Sequence, residues 1–402
     1  MRVFSLLGKG LRLESREETL KALEELCTTS FVYEIRLCGN TFSITACQVV
    51  AELLSLHAKT LQVVDFSDIF TGRTAQEIPK ALETLLSGLL FCNGCHTVYL
   101  SDNAFGSTAV EPLSSFLSRH TPLRHLYLNN NGLGPIAGEY IAKSLASLAE
   151  KQWGDSNEKH GKIETIVCGR NRLESESMKA WAECFRAHTA LKCLKMPQNG
   201  IRPEGIHILL ESGLSKCTQL EILDLQDNTL TLTGAKTLAK VLPNWPLLLE
   251  LGVSDCLLSG AGTEILAQVL SRGYHKQLKI LRLQYNEIDH KAVKKLVDTV
   301  EKMLPELETL ELNGNMFSDQ SDAVKKIQTI FRNRGKGELD ELNDMDEPSE
   351  SDNLESSNQE NSPDLKNIEK DVEENSDFQE EKEITIKLAA LLKQTHINQT
   401  QL

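Results

Sequence analysis

The residues of this chain best suited to steer chemistry are an arginine, Arg73, and a spaced file of polar side chains: Asp68, Asp102, Asn130, Arg170, Gln198, Asp227, Asp255 and Tyr285. Carboxylates, amides and cations set in a line suit recognition of a structured protein, because each hydrogen-bonding group needs a matched partner to repay its desolvation. A solvated surface would be polar as well. An arginine on a loop beside such groups raises the idea of an arginine finger, whose charge speeds phosphoryl transfer by about 10³ to 10⁵. The plainer reading is that Arg73 pairs with Asp68 or Asp102 and orders its loop; the residues alone leave both open. Motifs for intrinsic catalysis are missing, since no GxxxxGK[ST], HExxH or GxSxG occurs. Cys92 and Cys95 make a single CxxC without a second pair, too little for zinc or redox chemistry. Asn131–Gly138 (NGLGPIAG) imitates a dinucleotide fingerprint, but its third glycine comes one residue late, and turn glycines explain it better.

What positions the file is a repeat. An Asn or Cys closing the pattern LxxLxLxxN/C recurs at Asn40, Asn103, Asn131, Asn171, Asn199, Asn228, Cys256, Asn286 and Asn315, with Ile69 in the equivalent place of the second copy. The intervals of 28 to 40 residues are those of a leucine-rich-repeat solenoid of the long, helix-containing type. Positions 1, 4 and 6, such as Leu220, Leu223 and Leu225, point inward from a short strand. A helical segment follows, as in Ala235, Leu238, Ala239 and Leu242. The file is position 8, the residue before each Asn, which puts its side chains along one rim. The Asn itself reads as structural, its amide satisfying turn groups that no ladder reaches.

Parallel strands sit about 4.8 Å apart and packed helices about 8 to 10 Å, so the stack must bend with its strands on the concave side. The fold expected is therefore an α/β crescent over 1–335, about eleven repeats including caps. Met1–Leu13 reads as a degenerate first strand and cap, and Ala323–Phe331 as an amphipathic closing segment. In the second copy the next interval stretches to 34 residues, leaving Phe70, Thr71, Gly72 and Arg73 on an irregular rim loop. Residues 150–162 form a polar insertion expected to loop out on the convex side.

Past Gly335 the composition changes. Residues 338–383 carry 19 Asp or Glu against 3 Lys, a charge of −16, while the whole chain carries −14. Residues 336–402 are thus expected to be an acidic, largely disordered tail, either solubilising or an electrostatic lure for a basic partner, with a short docking helix at 384–392. No signal peptide and no apolar run of about 18 residues is present, and the ten cysteines look like buried thiols of a reducing compartment. A cytoplasmic chain that binds neither membrane nor nucleic acid is expected.

Runs both inside and outside the repeat consensus resemble the Ran GTPase-activating proteins: Ser67–Arg73 (SDIFTGR), Leu100–Gly106 (LSDNAFG), His125–Pro135 (HLYLNNNGLGP), Cys168–Glu174 (CGRNRLE), Gln198–Gly205 (QNGIRPEG), Leu223–Thr229 (LDLQDNT), Asp255–Ser259 (DCLLS), Leu281–Ile288 (LRLQYNEI) and Gly337–Met345 (GELDELNDM). They span nearly the whole array, and the shorter, fungal-type members are the most similar. The resemblance implies a monomer that binds the GTP form of the transport GTPase Ran, with a Ran-binding accessory protein as a further candidate partner. It has no cofactor of its own; GTP and Mg²⁺ come with Ran. It further implies that Ran supplies a catalytic Gln, which a rim Asn, here Asn130, turns toward the attacking water. Arg73 then matters for activity without entering the nucleotide site. Arg170 and Asp227 match positions implicated in Ran contact or activity, and Asp68, Asp102, Asp255 and Tyr285 join them by their place in the file. No counterpart is seen of the extra C-terminal domain by which animal members attach to the nuclear pore. The alternative is a leucine-rich-repeat module that clamps a partner without changing its chemistry.

Overall fold

The computed structural model describes residues 2–153 and 162–346. Twelve parallel strands form one sheet in strict chain order: Arg2–Ser5, Val32–Arg36, Val63–Asp65, Thr97–Tyr99, His125–Tyr127, Thr165–Val167, Cys193–Lys195, Ile222–Asp224, Glu250–Gly252, Ile280–Arg282, Thr309–Glu311 and Glu338–Leu339. The register holds from copy to copy, Leu194 facing Leu223, then Leu251, Leu281, Leu310 and Leu339. Eleven of the strands are followed by a helical segment, so the layers are those the period predicts: a leucine-rich-repeat solenoid.

The inward positions are closed to solvent. Leu220, Leu223 and Leu225 have no exposed surface, nor do Leu278, Leu281 and Leu283. They meet the apolar stripe of the helices, such as Ala235, Leu238 and Leu242 beside Thr231–Val241. One continuous core results, which no single repeat could bury alone. The helices approach closely where a side chain is missing: a Cβ on Gly88 would lie 2.7 Å from the Ala51 Cα.

Both ends are closed, the second by more residues than expected. The first strand pairs with Val32–Arg36, and Arg12–Leu13 makes a small second sheet with Thr41–Phe42. At the other end, Asp322–Arg334 starts at Ser321, which accepts from the Val324 N–H, and stops at Gly335 in the left-handed conformation. The repeat architecture then runs past the expected boundary at 335. Glu338–Leu339 adds a last strand, and Asp340 accepts from the Leu312 and Asn313 N–H groups at 2.7 and 3.0 Å. The sheet edge exposes backbone donors, and a carboxylate satisfies two of them without another strand. Acidic composition alone could not separate this edge cap from a solvated tail. The tail beyond residue 346, including 384–392, lies outside the described residues. The start of the 150–162 insertion extends the helix Gly134–Trp153, and Gln152 donates back to the Thr121 and Leu123 carbonyls at 2.9 Å; residues 154–161 lie outside the described residues.

Candidate functional site

The asparagines build the rim from inside. Each is buried, and its Oδ1 accepts the backbone N–H of the preceding copy: Asn103 to Asn131 at 2.9 Å, Asn131 to Asn171 at 3.0 Å, Asn171 to Asn199 at 3.0 Å and Asn199 to Asn228 at 3.2 Å, donor first. Each Nδ2 donates to turn carbonyls, in the case of Asn131 those of Leu100 and Leu128 at 3.0 Å. Only a side chain with a donor and an acceptor in one plane can do both. The file breaks where the amide is missing: Ile69 donates its N–H to Asn103 but offers nothing in return.

This row dictates the backbone of the residue before it. At position 8 the N–H still reaches across the sheet, from Asp102 to the Asn129 carbonyl and from Asn130 to the Gly169 carbonyl, both at 2.9 Å. The next side chain must nevertheless turn into the core. Every residue of the file therefore adopts positive φ: Asp68 46°, Asp102 62°, Asn130 53°, Arg170 56°, Gln198 54°, Asp227 53°, Asp255 50° and Tyr285 52°, with Gly39 and Gly314 at the ends. That conformation costs an L-residue about 1–2 kcal/mol, least for Asn and Asp. The rim is thus a fixed row of outward side chains, exposed from Asp102 to Tyr285 and half-buried at Asp68. Sequence spacing places these residues in line; it does not show that all share one strained conformation.

The first half of the rim brings together Asp68, Asp102, Asn130 and Arg170 on consecutive copies. Asn130 Nδ2 donates to Asp102 Oδ1 at 2.9 Å. Beneath them the backbone is pinned: Ser101 Oγ accepts from the Asn129 N–H at 3.1 Å, and Asn129 Oδ1 accepts from the Gly169 N–H at 2.6 Å. On the adjoining sheet face Tyr99 and Tyr127 stack at 4.1 Å, and burial pushes the Tyr127 hydroxyl pKa up. Arg170 makes no ion pair among the described residues.

Arg73 lies elsewhere. Its side chain is only 5% exposed and turns toward the first repeat, donating to Glu14 at 2.8 Å and to the Leu13 carbonyl at 3.4 Å. The Arg73 hydrogen bond holds the Glu14 carboxyl below its usual range. Of the two readings the residues leave open, the pairing with Asp68 or Asp102 is not formed: Asp68 accepts instead from the Thr71 hydroxyl within its own loop. Phe70 is buried against Phe105, which drives the loop inward and carries Arg73 with it. Glu14 is far away in sequence and carries no motif, so spacing could not find it.

The second half differs. Gln198, Asp227 and Asp255 line a cleft of about 440 Å³ together with Arg172, Glu174 and Leu257. Burial, and then the charge of Asp255, raise the Asp227 pKa. Further on, Tyr285 is held down, its hydroxyl donating to Asp344 at 3.0 Å over a ring that leaves no room for a side chain at Gly314. Lys195, Glu250, Arg282 and Glu311 form an ion-pair chain that spans five consecutive strands, skipping Ile222–Asp224, which a one-copy-at-a-time reading misses. Burial of the CxxC pushes the Cys92 thiol up to about 11 and the Cys95 thiol up as well. No cluster of three or more His, Cys, Asp or Glu able to hold a metal occurs among the described residues, and none of their helices is long and apolar enough to cross a membrane.

Comparison with known proteins adds the following. The family model described as Leucine Rich repeat matches residues 216–239. Ran GTPase-activating protein 1 of Saccharomyces cerevisiae is 39% identical over 336 residues, covering 82% of this chain and 82% of its own. Ran GTPase-activating protein 2 of Caenorhabditis elegans is 35% identical over 348 residues, which are 85% of this chain and 36% of that protein. Among solved structures, the leucine-rich repeat-containing protein LegL7 of Legionella pneumophila aligns over 84% of this chain and 99% of its own, at 14% identity and a TM-score of 0.45.

Proposed function

Since the chain belongs to the family of Ran GTPase-activating proteins, we propose that it accelerates GTP hydrolysis by Ran, and that its rim does so by completing a site Ran largely owns. The match to the Saccharomyces cerevisiae activator, over 82% of each chain, carries this reading. In it, Ran brings GTP, Mg²⁺ and a catalytic glutamine, and the chain acts as a monomer in the cytoplasm on the GTP-bound form, with or without a Ran-binding accessory protein. Phosphoryl transfer to water needs little covalent help, so positioning the nucleophile and stabilising charge are the main tasks. An exposed amide on a fixed backbone suits the first, and Asn130 is such a group. It turns Ran's glutamine toward the attacking water.

No arginine finger is involved in this scheme. The buried course of Arg73 supports that, because reaching a nucleotide would mean leaving Glu14 and the Leu13 carbonyl. Arg73 holds the loop that carries Asp68. Asp68, Arg170, Asp227, Asp255 and Tyr285 contact the partner, the acidic pair at 227 and 255 through its basic side chains.

The test is phosphate release from GTP-loaded Ran with a trace of this protein. Many Ran molecules turned over per activator are expected; stoichiometric binding without release would leave a clamping module instead. With Asn130→Ala, kcat should fall by about 10² to 10³ while KM changes little. An equal loss in affinity would move Asn130 from catalysis to recognition.

A further inference from the structure

Asn130 is useful in this scheme only if its amide faces the right way, and an exposed amide can flip. Its backbone is fixed by the left-handed conformation and by the N–H bond to the Gly169 carbonyl at 2.9 Å, so the Cβ direction is set. The rotation about χ2 is not set by the backbone, since a carboxamide is nearly two-fold symmetric in shape and differs only in which end donates. One side chain breaks that symmetry. Asp102, on the preceding copy, accepts from Asn130 Nδ2 at 2.9 Å. A carboxylate can only accept, so Asp102 tolerates the NH₂ end and repels the carbonyl end.

From this geometry we infer that Asp102 is a positioning residue: it selects the amide rotamer of Asn130, turning Oδ1 to the open rim as an acceptor for the NH₂ of the partner's catalytic amide. Asp102 therefore acts through Asn130 rather than by touching Ran. Asp102 is itself held in line, its N–H bonded to the Asn129 carbonyl at 2.9 Å and its own conformation left-handed, so the two side chains lean from equivalent backbones one strand apart. In the free protein this bond is exposed and weak. It strengthens when a docked partner excludes water from the rim, which is when orientation counts.

The inference rests on the proposed role of Asn130, and the experiment separates the two. Steady-state phosphate release from GTP-loaded Ran is measured with the full chain and with Asp102→Ala, Asp102→Asn, Asn130→Ala and the double variant Asp102→Ala/Asn130→Ala. Asp102→Ala should lower kcat about tenfold, the loss of one charge-assisted hydrogen bond, with KM within about twofold. Asp102→Asn should fall only about two- to threefold, because an amide can either accept from or donate to Asn130. The double variant should be no slower than Asn130→Ala alone. A raised KM with unchanged kcat for Asp102→Ala, or a loss that multiplies with that of Asn130→Ala, overturns the inference by making Asp102 a direct contact. Unchanged kcat and KM in Asp102→Ala beside a crippled Asn130→Ala overturns it too, and leaves the function proposed above standing. Full activity in Asn130→Ala overturns the role given to Asn130 and the inference with it, while acceleration of GTP hydrolysis itself stands.

Discussion

The two edges of the sheet solve one problem with different chemistry. At the rim the link between copies is almost always an asparagine. At the opposite edge, where helices end and strands begin, the links are donors of several kinds, most often an imidazole, reaching a backbone carbonyl of the preceding copy. His57 reaches Leu26 at 2.9 Å, Cys92 reaches Leu54 at 3.6 Å, His120 reaches Cys95 at 2.7 Å, His188 reaches Leu145 at 2.7 Å, Trp245 reaches Leu214 at 3.0 Å and His275 reaches Leu242 at 3.0 Å. Rim links must accept an N–H as well as donate, which restricts them to an amide. Opposite-edge links need only donate, so imidazole, thiol and indole all serve. The difference teaches that a repeat becomes visible in sequence where geometry demands one functional group, and fades where any donor of the right reach will do.

Removing a rim amide should cost most. Asn171→Ala strands the Asn131 N–H and takes a donor from the buried Leu128 carbonyl. A loss of about 2–4 kcal/mol is expected, as the Asn131 N–H is left buried without a partner and the Leu128 carbonyl keeps only its bond from Asn131 Nδ2, and urea unfolding checks it. A loss under about 1 kcal/mol would erase the contrast between the edges.

The opposite edge should be the acid-sensitive one. His120 is fully buried, Nε2 donates to Cys95, and Nδ1 has no partner, so the ring is held neutral and burial takes its pKa down from 6.5 to about 4. Between those values the unfolded chain binds the extra proton, so stability present above pH 6.5 is lost as pH falls toward 4. The full contribution is about 3 kcal/mol. Urea midpoints at pH 7 and pH 4.5 should differ less in His120→Gln than in the parent; equal differences would place the acid sensitivity elsewhere.

Arg73 sharpens the rim itself. Arg73→Ala should lose about 1–2 kcal/mol of stability and slow Ran turnover, and Glu14→Ala should reproduce part of both losses because it frees the same loop. If Glu14→Ala leaves turnover untouched while Arg73→Ala abolishes it, Arg73 works on the nucleotide after all. The smallest effect tests the break at Cys256, whose thiol donates to the Leu225 carbonyl but gives the Asn228 N–H no amide oxygen. Cys256→Asn should add about 0.5–1 kcal/mol, read as a higher melting temperature; destabilisation would mean that the pocket is shaped for sulfur.

The fold was legible from the spacing because Leu223, Leu225 and Asn228 each answer a local demand that recurs in nearly every copy. The rim file was legible for the same reason. Arg73 was legible only as a candidate: nothing near it announces Glu14, and the acidic residues that do stand near it, Asp68 and Asp102, bond to Thr71 and Asn130 instead. In the sequence Asp340 and Asp344 look like solvated charge, because composition cannot tell a carboxylate that caps a sheet edge from one that stays in water.

The sequence by itself determined the period, the buried strand positions, the interior asparagines and the order of side chains along the rim, since these depend on contacts between residues one repeat apart. Tertiary structure alone decided the left-handed backbone of the whole file, the Asp102 bond that orients Asn130, the inward turn of Arg73 and the closing of the last edge by residues 338–346. Each of these depends on direction, and direction is set by how neighbouring copies stack, which no spacing along the chain records.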